Sequence, residues 1–92
     1  MIVYAEIECY FYNKQSLKEK RSLLRRLVTQ LRQKFNVAVT ELDFHDLWQR
    51  TKLGIVTVSK DRVFAEQLIQ EGCRMIDSYP ELERTITHIE QR

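Results

Sequence analysis

The stretch of this sequence richest in chemistry lies between Asn13 and Phe35, where eight lysines and arginines stand against a single glutamate. That segment carries +7 and the remainder −5, so the net charge of +2 conceals a polarised molecule. At 100° per residue, Lys18, Arg21, Arg25 and Arg32 fall within about 60° of one another, and from Lys18 to Arg32 a helix rises roughly 21 Å. Such a ridge can meet several phosphates in succession, and guanidinium groups suit phosphate because they present paired donors. Lys18, Lys20, Arg21, Arg25 and Arg32 are therefore the candidate contacts to RNA, with ribosomal RNA or a ribosomal subunit as the partner. The plainer reading of the same residues is a solvated helix face, or one paired to acids elsewhere in the chain.

A second group is aromatic. Tyr4, Tyr10 and Tyr12 share one side of an alternating segment, where bases could stack on them. Glu6 and Glu8 stand between them and repel phosphate, and Leu53-Gly54-Ile55-Val56 supplies no matching aromatics. Contact with protein suits this face better, since tyrosine offers a large amphipathic area at interfaces. A homodimer through the sheet face or an edge strand follows, with Tyr4, Tyr10, Trp48, Gln49 and Arg50 as partner-binding candidates. Trp48, flanked by Leu47, Gln49 and Arg50, is either a cap over the open end of the core or an anchor for a partner.

Glu41, Asp43 and His45 alternate, with Asp46 beside them. An extended backbone would place the first three on one side, the arrangement of a hard-metal site or an acid/base pair. An acidic hairpin end is the simpler account, and we expect no metal, no cofactor and no catalytic residue. His88 reads as a surface or interface residue. There is no nucleophile elbow, phosphate loop or dinucleotide fingerprint. Cys9 and Cys73 stand alone, as packing residues of a reduced protein do.

The elements that must position these groups follow from periodicity. Residues 2–12 alternate as a strand, with Val3, Ala5, Ile7, Cys9 and Phe11 inward. Ser16 and Glu19 have capping-box spacing ahead of a helix over 17–34, whose apolar residues are Leu17, Leu24, Leu27, Val28, Leu31 and Phe35. Asn36 ends it at a position suited to a left-handed residue. A strand over 37–42, with a bulge near Glu41-Leu42, leads through the connector 43–52 to a third strand over 53–59. A second helix spans 61–79, where Phe64, Ala65, Leu68, Gly72, Met75, Ile76 and Tyr79 share a face and Gly72 implies close approach to the sheet. Pro80 stops it, and 83–90 form the last strand. The order β-α-β-β-α-β predicts an α+β, ferredoxin-like fold: one domain over 1–92, a four-stranded antiparallel sheet with two helices on one face, and the first and third strands central.

Three stretches also carry a resemblance. Ser16-Leu17-Lys18-Glu19-Lys20-Arg21, Phe35-Asn36-Val37 leading to Glu41 and Asp43, and Asp46-Leu47-Trp48-Gln49-Arg50 followed by Leu53-Gly54-Ile55 look like the YlxP-like family of bacterial proteins. The likeness covers essentially the whole chain. It implies the same ferredoxin-like fold and, because the family's genes often lie beside those for translation initiation and small-subunit maturation, a ribosome-linked role. The family brings no established catalytic residues. The matched Lys18, Lys20, Arg21, Asp46, Trp48, Gln49 and Arg50 are site candidates. The start MIVYAEIECYFY lacks the features of a signal peptide, and no apolar run approaches the ~20 residues that span a bilayer, so the cytoplasm is the expected compartment and no membrane partner is expected.

Overall fold

In a computed structural model, which describes residues 1–13 and 15–92, the chain folds as β1 (Ile2–Phe11), α1 (Leu17–Lys34), β2 (Ala38–Asp43), β3 (Arg50–Val58), α2 (Arg62–Asp77) and β4 (Leu82–Gln91). Lys14, which belongs to the basic segment, lies outside the described residues. The strands form one antiparallel sheet in the order β2-β3-β1-β4, with β1 and β3 central as the sequence predicts.

Alternation along β1 divides the sheet into two faces. Val3, Ala5, Ile7, Cys9 and Phe11 point into the core, whereas Tyr4, Glu6 and Glu8 are only half covered on the other face. The core joins these residues to Leu23, Leu24, Leu27 and Leu31 of α1, to Ala65, Ile69, Cys73 and Ile76 of α2, and to Leu53 and Ile55 of β3. Both helices thus cover one face, and the other is left open.

Each helix starts at a side-chain cap that satisfies otherwise orphaned N–H groups. Ser16 Oγ accepts from the Glu19 N–H at 3.2 Å, and Asp61 Oδ1 accepts from Val63 and Phe64. The Glu19 carboxylate reaches back one residue further than a capping box requires, to the Gln15 N–H at 3.1 Å.

Several expectations need correction. Asn36 is not left-handed; among the described residues φ is positive at Asn13 (59°) and Phe44 (66°), and α1 ends at an extended Phe35. Gly72 faces α1, where an added Cβ would sit an ordinary 3.8 Å from Leu31 Cδ2, and does not mark a close approach to the sheet. Phe64 is exposed, and Ile69 and Cys73 join Ala65, Gly72 and Ile76 in the buried positions of α2. β3 begins at Arg50, which shortens the connector. The bulge between Glu41 and Asp43 is present where the alternation breaks, and a second interrupts the β1–β4 ladder between Glu8 and Cys9.

Cys9 and Cys73 are both free and buried. Burial pushes the Cys9 thiol up to about 12 and raises Cys73 as well. Since the thiolate is the reactive form, neither thiol should react with a disulfide reagent in native protein at mildly alkaline pH, and both should react once the chain is unfolded in guanidinium. Rapid native labelling of either would contradict this packing.

Candidate nucleic-acid interface

Burial along α1 sets its rotation about its own axis. Lys20, Leu23, Leu24, Leu27 and Leu31 face the core, so Lys18, Arg21, Arg25 and Arg32 face water. The two flanks of the helix differ. On one, Arg26 Nη2 lies 3.0 Å from Glu81 Oε2, and the Tyr79 hydroxyl donates to Gln30 Oε1. This flank is neutralised where the chain leaves α2.

The other flank overhangs edge strand β2 and the connector. Arg32 Nη2 donates to the Val39 carbonyl at 2.6 Å, an interaction that leaves its charge unneutralised. Arg21 lies 3.9 Å from Asp46, with both side chains more than half exposed, a geometry that contributes little in water. Lys18 and Arg25 have neither an ion-pair nor a hydrogen-bond partner among the described residues. The ridge expected from the sequence is therefore water-facing, with one exception.

The exception is Lys20, which is fully buried and takes no part in the ridge. Its ammonium donates to the Phe44 carbonyl at 2.6 Å and lies 3.0 Å from Glu41 Oε2, to which the Thr51 hydroxyl also donates at 2.6 Å. A buried cation must have such partners, because an unpaired charge in the interior is very costly. The sequence carried a sign of this burial: Lys20 precedes Leu24, Leu27 and Leu31 by four, seven and eleven residues, the spacing of the core stripe.

The same contacts organise the connector. Phe44 holds a left-handed backbone, uncommon for a bulky residue. Its N–H donates to Asp43 Oδ1 at 2.7 Å, its carbonyl also accepts from Leu47 N–H at 3.0 Å, and the Arg50 guanidinium lies 3.9 Å from its ring centroid. Gln49 supplies its carbonyl to the Phe11 N–H at 2.8 Å. Of the residues expected to bind a partner, Arg50 thus has contacts within the fold while still half exposed, and Gln49 is held through its backbone carbonyl alone. Trp48, between Gln49 and Leu47, is exposed.

The acidic cluster does not converge. Glu41 serves Lys20 and Thr51, Asp43 serves Phe44, the His45 ring contacts the Glu41 carbonyl at 3.1 Å, and Asp46 is almost wholly exposed. Among the described residues no group of three or more His, Cys, Asp or Glu could hold a metal ion.

On the open sheet face, charges cancel pairwise across strands. Lys52 lies 3.2 Å from Glu6, and Arg50 lies 2.8 Å from Glu8. Hydrogen bonds from Lys52 and then from Tyr4 hold the Glu6 carboxyl below its ordinary range. Burial, followed by Glu6, raises the Tyr4 phenol. His88 and Arg92 both meet Glu90. Tyr10 and Tyr12 pack edge to face, with centroids 5.3 Å apart. Glu8 and Lys52, the partners that complete this network, escape a reading that follows one strand at a time, because their pairing depends on register.

A four-stranded antiparallel sheet with two helices on one face and the order β2-β3-β1-β4 defines a ferredoxin-like α+β domain. The de novo designed protein Ferredog-Diesel shares this fold, with a TM-score of 0.51 at 15% identity over 99% of this chain and 85% of its own. At the sequence level, residues 2–89 match the family described as "Protein of unknown function (DUF503)", and the chain belongs to that family. It is 50% identical over 90 residues to "Uncharacterized protein YlxP" of Bacillus subtilis (strain 168), with 98% of each chain covered. Among the described residues no helix is long and apolar enough to cross a membrane.

Replacing Lys20 by Ala strands Glu41 and removes a donor from Phe44. We expect a loss of about 3 kcal/mol, read as an earlier urea midpoint. A midpoint equal to that of the unaltered protein would show that the pair does not hold the connector.

Proposed function

We propose that this domain is a non-enzymatic accessory protein of the cytoplasm that binds RNA, in ribosomal RNA or a ribosomal subunit, through the outer ridge of α1. The observation that carries this reading is the contrast between two surfaces. Cations on the open sheet face are matched by Glu6, Glu8 and Glu90, whereas Lys18, Arg25 and Arg32 lack an acidic partner among the described residues. A ridge about 21 Å long spans several phosphates, and arginine binds phosphate bidentately. The ribosomal direction comes from the family resemblance. Lys20 plays no part in binding.

Four phosphate contacts predict a log–log salt slope of about −3 on single strands. Double charge reversal, Arg21→Glu with Arg25→Glu, should abolish binding of a small-subunit RNA fragment in fluorescence anisotropy without changing the unfolding free energy measured in urea by more than about 0.5 kcal/mol. Failure of the unaltered protein to bind at low salt, and to co-sediment with small subunits, would remove the reading.

A homodimer through the open face is a second reading, favoured by the apolar end of that face. Ala38, Leu42, Val56 and Tyr4 line a hollow of about 280 Å³ floored by Gly54, where an added Cβ would lie 3.0 Å from Leu42 Cδ1. Ile2 and Val58 extend the patch. Strand spacing and rise give the four-stranded face a flat footprint of about 600 Å², of the same order as the ~800 Å² each partner contributes to a standard interface. Sedimentation at micromolar concentration should show a dimer that Val56→Glu dissociates. A strict monomer would refute it.

A further inference from the structure

Trp48 stands outside the buried core. It belongs neither to the buried core nor to the half-buried side chains that pack against it, and it remains 39% exposed. Of the two roles expected of it, a cap over the core and an anchor for a partner, this exposure favours the anchor. Its backbone is nevertheless well anchored: Phe44 is pinned by Lys20, Leu47 N–H donates to Phe44, and Gln49 accepts from Phe11. A large apolar ring presented to water from a fixed backbone is a preformed platform, since little conformational freedom is left to lose on binding.

The position of that platform relative to the ridge gives it a ligand. Lys20 grips the connector at Phe44, and Arg21 lies 3.9 Å from Asp46, so the connector rests against the first turns of α1, where Lys18 and Arg21 emerge. Trp48 follows Asp46 by two residues, at most about 7 Å of backbone. A nucleotide whose phosphate meets Arg21 is thus held beside the connector that carries the indole.

We propose that Trp48 stacks on an unpaired base while Lys18 and Arg21 hold the adjoining phosphates, so that the site takes single-stranded RNA in preference to duplex. This rests on the RNA-binding reading of the α1 ridge and specifies its ligand. The chemistry is that of other single-strand sites, in which a basic track follows the backbone and an aromatic ring accepts any base on its π-face. In an A-form duplex the bases are stacked on one another, and Trp48 has nothing to receive.

Trp48 is the one tryptophan in the chain, so its fluorescence reports this contact alone. The full chain is titrated with a 12-nucleotide single strand and with an A-form duplex of the same sequence. End-label anisotropy follows binding, and tryptophan emission follows stacking. The single strand should bind more tightly and quench Trp48. Trp48→Ala should weaken it about ten-fold, Trp48→Phe should retain most of the affinity, and duplex binding should be unchanged in both. Far-UV circular dichroism checks that each variant is folded. Binding seen by anisotropy with unquenched Trp48 and an unaffected Trp48→Ala variant overturns stacking and leaves the ridge intact. Loss of anisotropy change for both RNAs overturns the ridge itself. A Trp48→Ala variant that instead loses self-association in sedimentation assigns the residue to a protein contact and overturns the proposal.

Discussion

Much of this molecule's surface follows from one buried charge. The Lys20 ammonium cannot stay in the interior without partners, and those partners come from three places: the Glu41 carboxylate on β2, the Phe44 carbonyl in the connector and, through Glu41, the Thr51 hydroxyl on β3. An apolar residue at this position would fill the same space without directional demands. The lysine imposes them. Together with the four buried leucines of α1 it fixes the rotation of the helix over the sheet, and the side that must face water follows. It also holds a connector whose Phe44 adopts a backbone conformation that bulky residues seldom take, one costing on the order of 1–3 kcal/mol.

The polarity of the molecule has a physical origin beyond composition. Antiparallel pairing brings Glu6 and Glu8 opposite Gly54 and Lys52, and the long side chains of Lys52 and Arg50 reach the two carboxylates. The open sheet face is thus neutralised by its own ladder. Helix α1 lies at one edge of this arrangement and has few acids within reach on its β2 side. Glu41 is already committed to Lys20, and Asp46 is too exposed and too distant to quench Arg21. Separation of charge is therefore a consequence of which side chains register can bring together.

Most of the fold was legible in the sequence because its signals are local. The alternation in β1, the Ser16 cap and the helical stripe place the elements, and α1 spans the expected 17–34. The bulge near Glu41 was visible as a broken alternation. Three things were not. Lys20 reads as one more surface cation because type outweighs phase when charges are counted. Asn36 resembles a helix stop, but α1 closes through the Phe35 N–H on the Leu31 carbonyl and needs no left-handed residue. The engagement of Arg50 depends on two partners distant in sequence, Glu8 across the sheet and Phe44 across the connector. Of the candidate site, the water-facing cations were legible, while the loop that lies beside them was not, since a loop's path is set by tertiary contacts.

The pairing of β1 with β4 has a consequence for how the chain reaches this state. Val3 lies opposite Gln91 and Phe11 opposite Leu82, so an inner strand of the sheet is joined to a neighbour from the far end of the described chain. Closing so long a loop is entropically slow. As the chain emerges from the ribosome, β1 can pair with β3 first, and it then keeps an unmatched row of backbone amides until β4 has been made. The nascent chain therefore passes through a stage in which a strand of high β-propensity is open to pairing with another molecule. Because that same β1–β3 pairing brings Lys52 and Arg50 onto Glu6 and Glu8, the edge stands bare when its own carboxylates are already neutralised, and only the arrival of β4 closes it.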